Sequence, residues 1–282
     1  MSAVVAETDP SLVKLLPLLA DRLMAAEPAE NGLVVAGICG AQGSGKTTLA
    51  HALERELAAR GKRAVTLSLD DFYLPRADRM RLAKTIHPLC ATRGVPGTHD
   101  ILLYAATLGA LAVATPQTQT PVPVFSKLDD DRLPRAQWAI YTGRPDIVLF
   151  EGWCVGARPQ NVDAWRGPIN ALEAELDGEG HWWRWWNATL ATEYWPVWKS
   201  LDPLILIRVP GIESVVQSRL RQERGLAAGA PDKPIMDEAA VRRFVAHYER
   251  FTLAIWDEMP ARADIMIDRD DSFVFSMANR VR

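Results

Sequence analysis

Gly40-Ala41-Gln42-Gly43-Ser44-Gly45-Lys46-Thr47-Thr48 is the stretch on which the fold turns. It is a full G-x-x-x-x-G-K-[ST] pattern that follows the apolar run Leu33 to Ile38 and precedes Leu49, Leu53 and Leu57 at one-turn spacing, with Gly61 beyond them. A strand, a glycine-rich turn and a helix in that order predict a phosphate cradle. The glycines let successive backbone N–H groups point at phosphate oxygens, and the helix adds its positive N-terminal end. In such a cradle Gly40 to Thr48 wrap a nucleotide, Lys46 reaches its β- and γ-phosphates, and Thr47 binds Mg²⁺.

Working outward, further apolar runs occur at Ala64 to Leu69, Asp146 to Phe150, Leu204 to Val209 and Asp264 to Ile267, separated by helical or loop-rich stretches. Continuous apolar runs suit strands covered on both faces, so the pattern predicts an α/β P-loop NTPase fold: a parallel sheet of about five strands flanked by helices. Residues 1–30 read as an N-terminal helical segment and 31–282 as one kinase-sized domain. Its Pro-, Gly- and polar-rich parts at 74–123 and 156–201 read as insertions above the sheet, and 212–235 as a lid. Val241, Phe244, Val245, Tyr248, Phe251, Thr252 and Ile255 make one helical stripe expected to pack.

A formal net charge of -3 over 282 residues gives no global reason to bind nucleic acid or anionic lipid. The three cysteines, Cys39, Cys90 and Cys154, lack disulfide or zinc spacing, and no stretch is apolar enough to span a bilayer, so the chain reads as a cytoplasmic protein. His181-Trp182-Trp183-Arg184-Trp185-Trp186 resembles a stacking platform, but in an acidic chain it is better explained by rings packed inside an insertion. Arg242, Arg243 and Arg250 read as the solvated face of the C-terminal helix.

Two acidic sites accompany the cradle. Glu151 ends the run from Asp146, where a carboxylate can hold Mg²⁺ through water. Asp70 and Asp71 end the second strand; a kinase acting on an alcohol needs a carboxylate to accept the hydroxyl proton, and that role is assigned to Asp70, the alternative being that Asp70 orders Mg²⁺ through water while Asp71 caps the next segment. Arg219, Arg221 and Arg224 lie on a helix, and an arginine over the phosphates neutralises charge in the transition state. Arg219 and Arg224 are the candidates.

The succession of the P-loop, Ser68 to Tyr73, Arg93 to Asp100, Phe125 to Arg132, Glu151 to Ala157 and the arginine helix resembles the D-glycerate 3-kinase family, itself similar to phosphoribulokinase, uridine kinase and pantothenate kinase. The resemblance implies ATP and Mg²⁺ as cofactors, a small hydroxy acid as partner, and Asp70 as the catalytic aspartate. It also implies that Arg93 to Asp100 and Phe125 to Arg132 are acceptor-site loops, making Tyr73, Arg93, His99, Asp100, Lys127 and Arg132 candidate substrate contacts. Lys127 and Arg132 have a plainer alternative, neutralising Asp129, Asp130 and Asp131. Transfer to the 3-hydroxyl of D-glycerate is implied by the family alone. Other acceptors (a nucleoside, a pantothenate-like acid, a sugar phosphate) and a non-catalytic nucleotide-binding regulator remain alternatives.

Overall fold

The computed structural model describes residues 9–229 and 236–278; residues 1–8 of the N-terminal segment and 230–235 of the expected lid lie outside the described residues. Six strands form the central sheet: β1 (Val34–Gly40), β2 (Ala64–Ser68), β3 (Ile147–Gly152), β4 (Leu204–Arg208), β5 (Ile265–Arg269) and β6 (Phe275–Met277). Their order is β6-β5-β4-β1-β3-β2, and every neighbouring pair is parallel except β5 with β6. Five of the six are the apolar runs of the sequence. The sixth, Phe275–Met277, buries only Phe275, so no run announces it.

The continuous apolar runs are two interleaved faces. Val34, Ala36 and Ile38 of β1 pack with Ile147, Leu149, Ile205 and Ile207 beneath the helix Lys46–Ala59 and the N-terminal helix Leu16–Met24. Val35, Cys39, Val148, Phe150, Leu204 and Leu206 face the other way, into a core completed by tryptophans and tyrosines. Alternation along a strand sends successive side chains to opposite faces, and here both faces are covered.

That second core contains much of both segments read as insertions. Helix Ile101–Ala112 lays Tyr104 flat on Phe150, with ring centroids 4.0 Å apart, so part of 74–123 is a layer of the sheet itself. Helix His181–Thr189 buries Trp182, Trp183 and Trp186 against the C-terminal helix Glu238–Glu258, Trp186 lying 4.7 Å from Phe251. Asp177 caps it by accepting from the Trp182 and Trp183 amides. Arg242 and Arg243 pair with carboxylates at the surface, whereas Arg250 is no solvated residue: it binds Glu173, which is 2% exposed, and covers the Trp165 ring. A guanidinium that is weakly hydrated and planar suits that stacked, paired position.

Candidate active site

Strand register assembles the site. Ile38 of β1 lies beside Glu151 of β3, and Glu151 beside Ser68 of β2. The P-loop begins two residues beyond Ile38 and Asp70 lies two beyond Ser68, so all three arrive at one carboxyl edge, within about 10 Å at the spacing of adjacent strands. Gly43 and Gly45 take positive φ values of 73° and 93° to turn the chain, and helix Lys46–Ala59 starts directly after them. A Cβ on Gly40 would come within 2.4 Å of Ser44 Oγ, which explains the first glycine of the pattern.

A cleft of about 350 Å³ opens at this edge. Gln42, Gly43, Gly45, Lys46, Thr47 and Thr48 line it, while Ala41 and Ser44 are buried behind. Across from the cradle the lining includes Asp70, Tyr73, Arg93, Lys127 and Arg219. Trp153, Phe244 and Tyr248 form an aromatic wall, and Asp9, Phe273 and Phe275 complete the rim. Phe244 and Tyr248 belong to the stripe expected only to pack. Phe275 approaches Gly45 so closely that a Cβ there would meet its ring at 2.6 Å.

Thr47 Oγ1 donates to Glu151 Oε1 at 2.8 Å, and Glu151 Oε2 is buried with no hydrogen-bond partner among the described residues. A threonine hydroxyl and a desolvated carboxylate with an unused oxygen fit a hard divalent cation such as Mg²⁺, whose remaining ligands would be phosphate oxygens and water.

Asp70 is 26% exposed and pairs with Lys127 Nζ at 2.6 Å. Burial works to raise its pKa, but the charges of Lys127 and Lys46 outweigh it and hold the carboxyl at about 2. Asp71, its neighbour, turns away and accepts from the Phe125 amide; burial pushes it up to about 6. The adjacent carboxylates are thus separated into one that faces the cleft and one that holds a loop.

Several expected contacts are scaffolding. Arg132 does not reach the cleft lining: it donates to the Tyr73 carbonyl at 3.0 Å and pairs with Asp100 at 3.1 Å. Asp100 in turn caps helix Ile101–Ala112 by accepting from Leu103 N, so the polar groups of both residues are engaged with each other and with the backbone, outside the cleft lining. His99 is 3% exposed, stacked on Tyr73 at 4.3 Å and hydrogen-bonded through Nδ1 to Tyr194 Oη at 2.9 Å, behind the cleft rather than in it. Tyr194 also accepts from Gly97 N at 2.7 Å. Gly97 has φ 95° and would meet the Trp185 ring at 2.3 Å if it carried a Cβ, so the tryptophan helix fixes the Arg93–Asp100 loop. Arg224 lies on another side of its helix, beside Arg221 and Arg269, because it is five positions on from Arg219, about 140° around the axis. Arg219 alone of the two candidates faces the P-loop, held by Glu223 and covering the Phe244 ring.

Neither Lys127 nor Arg132 neutralises the run Asp129 to Asp131 by itself. Within that run Asp130 pairs with Arg93 and with Arg79, which is fully buried: Arg79 donates to the carbonyls of Ala91 and Asp130 at 2.7 and 2.6 Å and pairs with the Asp130 carboxylate at 2.9 Å. Truncating it empties a fully buried site and leaves several half-buried acceptors unpaired, so Arg79→Ala is expected to cost about 3 kcal/mol of stability, read by urea denaturation. A loss under 1 kcal/mol would contradict this role.

Two buried imidazoles set an acid limit. Burial pushes His99 and His247 down to about 3, so they stay neutral in the fold while the unfolded chain protonates them below 6.5. Each contributes stability present above pH 6.5 and lost on acidification, whereas Asp71, raised to about 6, gains stability as pH falls towards 3.8. With two buried imidazoles against one raised carboxyl, stability should fall as the pH drops below 6.5. Denaturation midpoints at pH 7, 6 and 5 measure it; a rise on acidification would refute the assignment.

Among the described residues no helix is long and apolar enough to cross a membrane. No protein-family model matches the chain. The uncharacterized kinase mug58 of Schizosaccharomyces pombe is 34% identical over 221 residues, covering 76% of this chain and 78% of that kinase. The chloroplastic D-glycerate 3-kinase of Arabidopsis thaliana is 29% identical over 254 residues, or 84% of this chain; the chain spans about half, 53%, of that enzyme's length. Among solved structures, a D-glycerate 3-kinase from Cryptococcus neoformans superposes with a TM-score of 0.72 at 23% identity, over 94% of this chain and 97% of that one, a likeness of fold. With a complete phosphate cradle at the sheet edge and these relatives along most of its length, the chain belongs to one family with the kinase mug58, has the P-loop kinase fold and is a phosphotransferase.

Proposed function

We propose that this enzyme transfers the γ-phosphoryl group of Mg-ATP to a hydroxyl of a small hydroxy acid, D-glycerate, giving ADP and 3-phosphoglycerate. The observation that carries the reading is one cleft in which Asp70 stands among four cations, Lys46, Arg93, Lys127 and Arg219. A triphosphate and a carboxylated acceptor both need that charge, and an apolar or neutral acceptor would not.

In this reading the P-loop amides and Lys46 hold the β- and γ-phosphates, and Thr47 and Glu151 hold the metal, which when bound neutralises phosphate charge. Asp70 accepts the proton of the attacking hydroxyl and aims its oxygen at phosphorus. Arg219 lies over the phosphates. Arg93, fixed by Asp130 and by the Tyr248 hydroxyl on its carbonyl, offers its guanidinium to the acceptor carboxylate against the Tyr73 and Tyr248 rings. Residues 31–282 act as one domain, with the arginine helix Ile212–Gly229 as its cover. Three buried free thiols support a reducing, cytoplasmic setting.

Initial rates with D-glycerate, L-glycerate, glycerol, uridine and pantothenate test the acceptor. D-glycerate should give the highest kcat/KM; preference for uridine or glycerol would discard the hydroxy acid.

A further inference from the structure

Lys127 is carried on a hairpin, Phe125–Ser126 paired with Asp131–Arg132, whose two ends are clamped. Phe125 N donates to Asp71, Arg76 N to Asp131, Arg79 grips Asp130 through its carbonyl and carboxylate, and Arg132 grips Asp100 and the Tyr73 carbonyl. The tip stands out from these clamps. The Lys127 side chain is 60% exposed and Leu128 is 64% exposed, and Lys127 Nζ is held by Asp70 Oδ2 at 2.6 Å. A rigid base therefore presents a long flexible amine, through one ion pair exposed at its lysine end, to the half-buried carboxylate that has to take the acceptor's proton. Because its ammonium end lies in water, the pair can be exchanged for one with another carboxylate.

Resting on the reading of Asp70 as the base, we infer that Lys127 is an acceptor-operated latch: it occupies Asp70 until the acceptor's own carboxylate draws the ammonium away, freeing Asp70 only when the substrate hydroxyl is beside it. Arg93 cannot play this part, because Asp130 and Tyr248 fix it from both sides. Two consequences follow. With acceptor present, the hydroxyl oxygen bonds to the γ-phosphorus as the bridging bond to ADP breaks, and the hydroxyl proton passes to Asp70. Without acceptor, water has no free base, so the same cleavage to ADP and inorganic phosphate is suppressed. Lys127 thereby selects acceptors that carry a carboxylate and guards ATP against hydrolysis.

Lys127→Met and Lys127→Arg test this on the full chain, with Mg-ATP alone, with D-glycerate and with glycerol as probes. Lys127→Met is expected to raise the KM for D-glycerate about tenfold or more while increasing turnover of glycerol, which has no carboxylate with which to draw the ammonium away. It should also raise acceptor-free ATP hydrolysis severalfold, and Lys127→Arg should restore both properties in large part. An equal loss of kcat with both acceptors, with hydrolysis no faster than in the wild type, would overturn the latch and make Lys127 a phosphate contact. The substrate reading is judged separately, on wild-type turnover of D-glycerate. Turnover with unchanged variant-to-wild-type ratios defeats the latch alone.

Discussion

Asp70→Asn is expected to lower kcat by about 10²- to 10⁴-fold while ATP still binds. The substitution keeps the shape of the side chain in the cleft but removes its capacity to accept a proton. It also removes a negative charge near Lys46, one of the cations that hold Asp70 at a low pKa. The triphosphate then meets less repulsion, so ATP affinity should be equal or higher. Steady-state ADP release together with calorimetric titration of ATP separates the two effects. Lost ATP binding with unchanged turnover per bound nucleotide would show that Asp70 serves the nucleotide and that the proton goes elsewhere.

Lys46→Ala has the complementary signature. Its ammonium lies in the cradle at the first residue of the helix Lys46–Ala59, where alanine is a good helix former, so the fold should survive. What is lost is a preorganised cation on the transferring phosphoryl group, an interaction whose removal is expected to lower kcat/KM for ATP by about 10²- to 10³-fold. Thermal unfolding without ligand should be near wild type, and the stabilisation by added Mg-ATP should disappear. Full Mg-ATP stabilisation in the variant would contradict the placement of the phosphates.

The nucleotide half of the site was legible because local chemistry dictates it. Positive φ at Gly43 and Gly45, a hydroxyl at Thr47 and a carboxylate ending β3 are demands that fall on fixed positions of a short stretch. Asp70 was legible for a similar reason: a strand ending puts it at the same edge. The acceptor half resisted because its logic is one of distant partners. Nothing near Arg132 marks Asp100 as its counter-charge, and nothing near Asp71 marks the Phe125 amide, 54 positions away, as its partner. Arg219 and Arg224 look alike until helical phase is referred to the P-loop. Phe244 and Tyr248 were hidden inside a packing stripe, and Asp9, Phe273 and Phe275 come from chain segments without any motif. The sixth strand failed to register since two of its three residues face solvent.

The account stands most directly on the phosphorylated product formed from Mg-ATP and D-glycerate, identified by ³¹P NMR and followed as ADP release. It predicts acceptor-dependent turnover of about 1 to 100 per second with 3-phosphoglycerate as the product. Tight ATP binding with no dependence of ADP release on any hydroxylated acceptor would contradict it.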